Sequence, residues 1–200
     1  MLWREYMQKN INFLALIAGI STLILIVVSI FVPWWQLVVG DPAIASVNVS
    51  PVNLNLDLLG NFVTIPIIYA LNIACALTLA SGGIVMLIYS LKPNKSYSNK
   101  LLGFGYKKPL YALILFVIGV FAISYLVQRF SGFTFPLIGS GSLSLPQGMA
   151  PDGVSINVAV SAGFGWPFYF AIVVSGLCVA ARFYHRKVAV EPMLPPTTPK

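Results

Sequence analysis

The sequence predicts a membrane all-α four-helix bundle that carries a small extracellular antiparallel β-sheet built from its two outer loops. Three observations carry that prediction. Four apolar runs without a charged residue divide the 200-residue chain. The basic residues gather on one side of those runs. The connections on the other side alternate apolar and polar residues with period two, the mark of half-buried strands.

The runs are Ile11–Val32, Thr64–Leu91, Pro109–Gln128 and Pro167–Ala181, the last extended to about residue 184 by the amphipathic turn Arg182–His185. Each approaches or exceeds the roughly 20 residues that carry an α-helix across about 30 Å of hydrocarbon. A hydrophobic fraction of 58% with 8% charged residues, and a mean hydropathy of +0.87, lie outside the range of soluble globular domains. The first run is expected to stay as a helix. It is longer than a signal core of about 7–15 residues, and the small-x-small triplet Ala43-Ile44-Ala45 stands well beyond its end.

The net charge of +7 is distributed by side. Arg4 and Lys9 precede the first run, Lys92, Lys95, Lys100, Lys107 and Lys108 separate the second from the third, and Arg182, Arg186, Lys187 and Lys200 follow the fourth; Arg129 alone is on the other side. The positive-inside rule then puts both termini and the Lys-rich connection in the cytoplasm of a multi-pass cell-membrane protein, with loops 33–63 and 129–166 outside. The basic excess serves anionic headgroups, not nucleic acid. Residues 1–187 form one membrane domain with spans at about 11–32, 64–91, 109–128 and 167–184, and 188–200 is a flexible Pro-rich tail.

Aromatic residues support the boundaries, because Trp and Tyr collect at membrane interfaces. Trp34, Trp35, Tyr125, Trp166 and Tyr169 are expected in the outer belt, and Trp3, Tyr6, Tyr89, Tyr111 and Tyr184 in the inner one. Pro66 and Pro167 suit the first turns of helices two and four. Small residues four apart, Ala15/Gly19, Ala76/Ala80, Thr78/Gly82, Ala171/Ser175 and Gly176/Ala180, predict the tightest packing among helices one, two and four, with Gly119 in the poorer third.

In the first outer loop Val52–Leu58 alternates cleanly and follows the shorter Val47-Asn48-Val49. In the second, Leu143-Ser144-Leu145 and Val154–Val160 flank the turn formers Pro146–Gly153. These segments predict strands antiparallel within each loop and shared between the loops. The polar Lys92–Lys108, which includes Gly103-Phe104-Gly105, reads as a flexible loop with surface lysines.

No catalytic, cofactor-binding or metal-ligating constellation emerges. The spans contain no ionisable partner of the kind that transport and redox chemistry need at depth. Asn72 is the strongest polar group among them and predicts an interhelical contact; Gln128 ends the third span. Cys75 and Cys178 read as small buried hydrophobes, and the lone His185 as a headgroup contact. Outside, Asp41 and Asp152 suit turns, while Asp57 on the polar side of its strand is a candidate partner for Arg129. Asn48-Val49-Ser50 is a glycosylation sequon on the outer side, whereas Asn94-Lys95-Ser96 is cytoplasmic.

Pro33-Trp34-Trp35 at the end of the first span is similar to the Pro-x-Trp that closes the first helix of claudin and PMP22-like tetraspan proteins, and the four-span layout with two strand-bearing loops resembles theirs. Where that family carries a Gly-Leu-Trp motif and a cysteine pair, this chain has Leu58-Leu59-Gly60-Asn61-Phe62. The resemblance implies a non-enzymatic scaffold or accessory subunit whose extracellular sheet contacts other membrane proteins or copies of itself. Two alternatives stand beside it: a channel or transporter subunit acting as an oligomer, and an accessory subunit of a membrane redox complex.

Overall fold

A computed structural model describes residues 11–93, 95–131, 134–144 and 157–189. Trp3, Tyr6, Asn94, the turn Pro146–Gly153 with its Asp152, and the tail from residue 190 lie outside the described residues. Among the described residues five helices follow in order: α1 (Phe13–Phe31), α2 (Pro66–Leu91), α3 (Ser98–Gly105), α4 (Lys107–Ser131) and α5 (Trp166–Ala189). Strands β1 (Trp35–Val39), β2 (Ala45–Ser50), β3 (Asn53–Leu58) and β4 (Asn61–Val63) join α1 to α2; β5 (Gly139–Ser144) and β6 (Asn157–Phe164) lie between α4 and α5. Among the described residues four stretches are long and apolar enough to cross a membrane: Phe13–Phe31, Pro66–Leu91, Ser98–Phe130 and Trp166–His185.

Helix α1 starts where a polar side chain satisfies its first turn: Ala15 N–H donates to Asn12 Oδ1 at 3.0 Å. Its buried stripe, Ala15, Ala18, Gly19, Thr22, Leu25 and Ser29, recurs every three or four residues and faces the bundle. The opposite side, with Ile17, Ile20, Ile24 and Val27, is exposed and equally apolar. Helix α2 opens with Pro66 in its first turn, where the missing N–H breaks no intrahelical bond.

Helix α1 is the centre of the bundle and packs along α2 and α5. The first contact depends on two glycines. A Cβ on Gly19 would sit 3.0 Å from Gly83 O and 2.8 Å from Leu87 Cδ2, so the two backbones meet only without side chains there. Gly82, one residue on, faces a different neighbour: its Cβ would lie 2.7 Å from Lys108 Cβ and 3.4 Å from Gly105 O. Ala171 and Ser175 of α5 are buried as expected, whereas Gly119 and Gly176 face open space.

The connection expected to be a flexible loop over Lys92–Lys108 instead contains α3. Leu102 is fully buried, Gly105 abuts α2, and Ser98 Oγ donates to Lys92 O at 2.5 Å. One buried leucine, a glycine and a serine suffice to dock a segment that composition alone marks as solvent-exposed.

The six strands form one antiparallel sheet in the order β4-β3-β2-β1-β6-β5. The expected strand Val52–Leu58 is present as β3, Val47–Val49 lies within β2, and Leu143 and Ser144 end β5. The join between the two connections is β1 with β6, from Trp35 opposite Phe164 to Val39 opposite Val160. The alternation sends Trp35, Leu37, Val47, Val49, Val160, Ala162 and Phe164 to one face, where Phe135 and Leu137 pack against them. Trp35 Nε1 donates to Leu137 O at 2.8 Å.

Trp34 and Trp35, expected in an interfacial belt, are core residues, 1% and 4% exposed. They sit where α1 turns into β1, so the chain's change of direction carries both rings inward. Trp34 lies edge-on to Phe116, centroids 5.0 Å apart, and Phe168 at 6.4 Å. Trp166, Tyr169 and Tyr125 do remain exposed.

Candidate functional site on the sheet

The face of the sheet turned away from the apolar core is made mostly of uncharged polar side chains. Register places Gln36 opposite Asn48 and Asn48 opposite Asn55, so three amides form a row across β1, β2 and β3. Ser46 and Ser50 share that face on β2, as do Asn53 and Asp57 on β3, Ser161 on β6, and Ser140 and Ser142 on β5.

The same face grips the end of α1. The last carbonyls of a helix have no partner within it. Here the sheet supplies them: Ser50 Oγ donates to Ser29 O at 2.7 Å, and Asn53 Nδ2 donates to Ile30 O at 2.8 Å. Trp34 Nε1 donates to Ser29 Oγ at 2.7 Å from the other side. Helix and sheet are therefore one rigid unit at this junction.

Two clefts open beside it. One, about 260 Å³, is lined by Ser29, Ile30, Phe31, Pro33 and the polar residues Gln36, Asn48, Ser50, Asn53 and Asn55. The other, about 350 Å³, shares Pro33 and Gln36 and continues past Ser161 and Gly163 to Gly165. The buried Oδ1 of Asn48 has no hydrogen-bond partner among the described residues. At the far end of β3 the hairpin turn Leu59-Gly60 has positive φ at both residues, 53° and 77°. Leu59 and Phe62 there are 78% and 77% exposed.

Of the sequence-derived positions, Asn48 lies in the middle of a paired strand, and Ser50 of its sequon is buried with its hydroxyl engaged. A glycan on Asn48 would have to be attached before the strands pair, and it would occupy the first cleft. Asp57 lies on β3 opposite Ser46 and Phe62, and Arg129 is exposed near the end of α4; no ion pair joins them among the described residues. Asn72 is half-buried on α2 without a hydrogen-bond partner among the described residues. Cys178 is buried, with its Sγ 4.0 Å from Thr22 Oγ1, and Cys75 is half-buried. Among the described residues no three His, Cys, Asp or Glu side chains gather to hold a metal ion.

A second polar cluster joins three helices at the opposite end of the bundle. Asn12 Nδ2 donates to Tyr89 Oη at 2.9 Å, and Tyr89 Oη lies 2.7 Å from His185 Nδ1. Because Ala15 N–H fixes Asn12 Oδ1, the amide can only donate toward Tyr89, and the tyrosine hydroxyl is left to donate to Nδ1. Tyr89 is thus a buried core residue in place of the expected belt ring, hydrogen-bonded to the half-buried His185. Asn12 ahead of an apolar run is a readable N-cap signal. Its pairing across 77 residues is not. Tyr89→Phe is expected to lower stability by about 1–3 kcal/mol, since it strands two polar groups. Thermal melting in mild detergent checks this, and an unchanged midpoint would mean that water replaces the hydroxyl.

The site missed by sequence reading is Gln36, because Trp35-Gln36-Leu37 is too short an alternation to separate from the apolar run before it. Compared with protein-family models and with curated proteins, the chain has no match.

Proposed function

We propose that this chain is a non-enzymatic multi-pass protein of the cell membrane, with cytoplasmic termini, that holds its sheet outside the bilayer as a rigid surface for protein contacts. In this reading it works as a scaffold or accessory subunit in the manner of claudin and PMP22-like tetraspan proteins. The observation that carries it is the β1–β6 pairing, which makes both strand-bearing connections into one sheet at one end of the bundle. The Lys-rich connection with α3 is at the other end, which agrees with the positive-inside rule.

The edge strand β4 supports a contact role. Its unpaired backbone groups and the exposed Leu59 and Phe62 are features that isolated proteins avoid and interfaces use. Asn72 supports a lateral partner as well, because an unpaired amide on a lipid-facing helix gains about 1 kcal/mol from an interhelical hydrogen bond.

Two measurements test the reading. After Cys75 and Cys178 are replaced, Asn55→Cys should react with an impermeant thiol reagent in intact cells and Ser96→Cys should not; the reverse pattern inverts the orientation. A photoreactive residue at Phe62 should form protein adducts in native membranes well above the yield at Ser142. Equal yields at the two positions would remove the contact role.

A further inference from the structure

The row of amides beside α1 lines an open cleft. Side chains of Gln36, Asn48 and Asn55 stand on neighbouring strands about 4.8 Å apart, each offering both donors and an acceptor. The buried Asn48 Oδ1 has no donor among the described residues. Buried acceptors are nearly always satisfied, and Asn48, which lines the first cleft, is left one short.

The chemistry of that donor is constrained. Neither cleft has a charged lining residue, so a phosphate or ammonium group would find no counter-charge. Amides and the serine hydroxyls are matched by groups that both donate and accept, the pattern of a sugar ring. The volumes, about 260 and 350 Å³, are near the lower end of the roughly 300–1,000 Å³ of small-molecule sites. The lip is apolar: Ile30 and Phe31, the last residues of α1, are 46% and 79% exposed.

We infer that the adjoining clefts bind a neutral sugar, with Gln36, Asn48 and Asn55 reading its hydroxyls and Ile30 and Phe31 flanking an attached apolar chain. The inference rests on the placement of the sheet outside the bilayer, where the end of α1 meets the headgroup layer. The sugar is either a glycolipid headgroup or a free saccharide.

The full chain in phosphatidylcholine nanodiscs doped with diglucosyl diacylglycerol separates these sources, with native mass spectrometry reading the retained lipid and calorimetry reading maltose. For a lipid-linked sugar, diglucosyl diacylglycerol is retained at least tenfold over phosphatidylcholine. For a free one, maltose binds saturably without that preference. In either case Gln36→Ala and Asn55→Ala each weaken binding about 5–10-fold, the loss of one hydrogen bond. Ser142→Ala, on the same face beyond the clefts, leaves it unchanged. Both amides are exposed, so the variants keep the wild-type melting midpoint, and Asn48→Ala, which removes the buried acceptor, weakens binding in the same way.

Binding of neither ligand, or binding indifferent to Gln36→Ala and Asn55→Ala, overturns the inference. If Asn55→Cys is labelled from outside while no sugar binds, the sugar site alone falls. If it is not labelled from outside, the placement falls and the site with it.

Discussion

Replacing Trp34 by alanine should destabilise the protein by about 3–5 kcal/mol, the range for deleting a fully buried aromatic ring. The position concentrates several contacts. Its ring meets Phe116 of α4 and Phe168 of α5, and its Nε1 donates to Ser29 Oγ in α1. Its backbone N–H donates to Val49 O, and its carbonyl accepts from Gly165 N–H, both at 2.9 Å. The cavity would open where three helices and the sheet converge, so little of it could collapse. Trp166→Ala, at a ring 57% exposed, is the matched control and should shift stability by less than about 0.5 kcal/mol. Denaturation of both variants in the same detergent checks the pair. Equal losses would return Trp34 to the interfacial role that its neighbours in sequence suggest.

Gly165→Ala is expected to cost about 3 kcal/mol or to prevent assembly of the sheet on the bundle. A Cβ there would lie 2.6 Å from Pro33 O, and that atom is backbone. A side chain could rotate away; a carbonyl at the junction of α1 and β1 can move only with the strand. Overpacking of this kind costs about 1–3 kcal/mol where neighbours adjust, and more where they cannot. Gly163→Ala, two residues earlier, adds a Cβ with nothing within 4 Å and should be tolerated. Monodispersity on size exclusion and the melting midpoint distinguish the two. If the two variants match, the Pro33–Gly165 junction is looser than its geometry.

The four apolar stretches were legible in the sequence because hydropathy and helix length are local properties, written in the residues of each run. The strand pattern of Val52–Leu58 was legible for the same reason: alternation is set by the pleat, whatever the partner. Gln36 escaped notice because three residues of alternation after an apolar run have no distinguishing period.

Tertiary structure alone decided which of these elements meet. Nothing near Trp35 specifies Phe164 as its partner, and nothing near Asn12 specifies Tyr89 or His185. Such pairings depend on which distant surfaces leave the fewest buried polar groups unpaired and the fewest voids, a condition on the whole chain. The same holds for Trp34. Its composition fits an interface ring or a core ring equally, and the direction in which the chain leaves α1 chose the core.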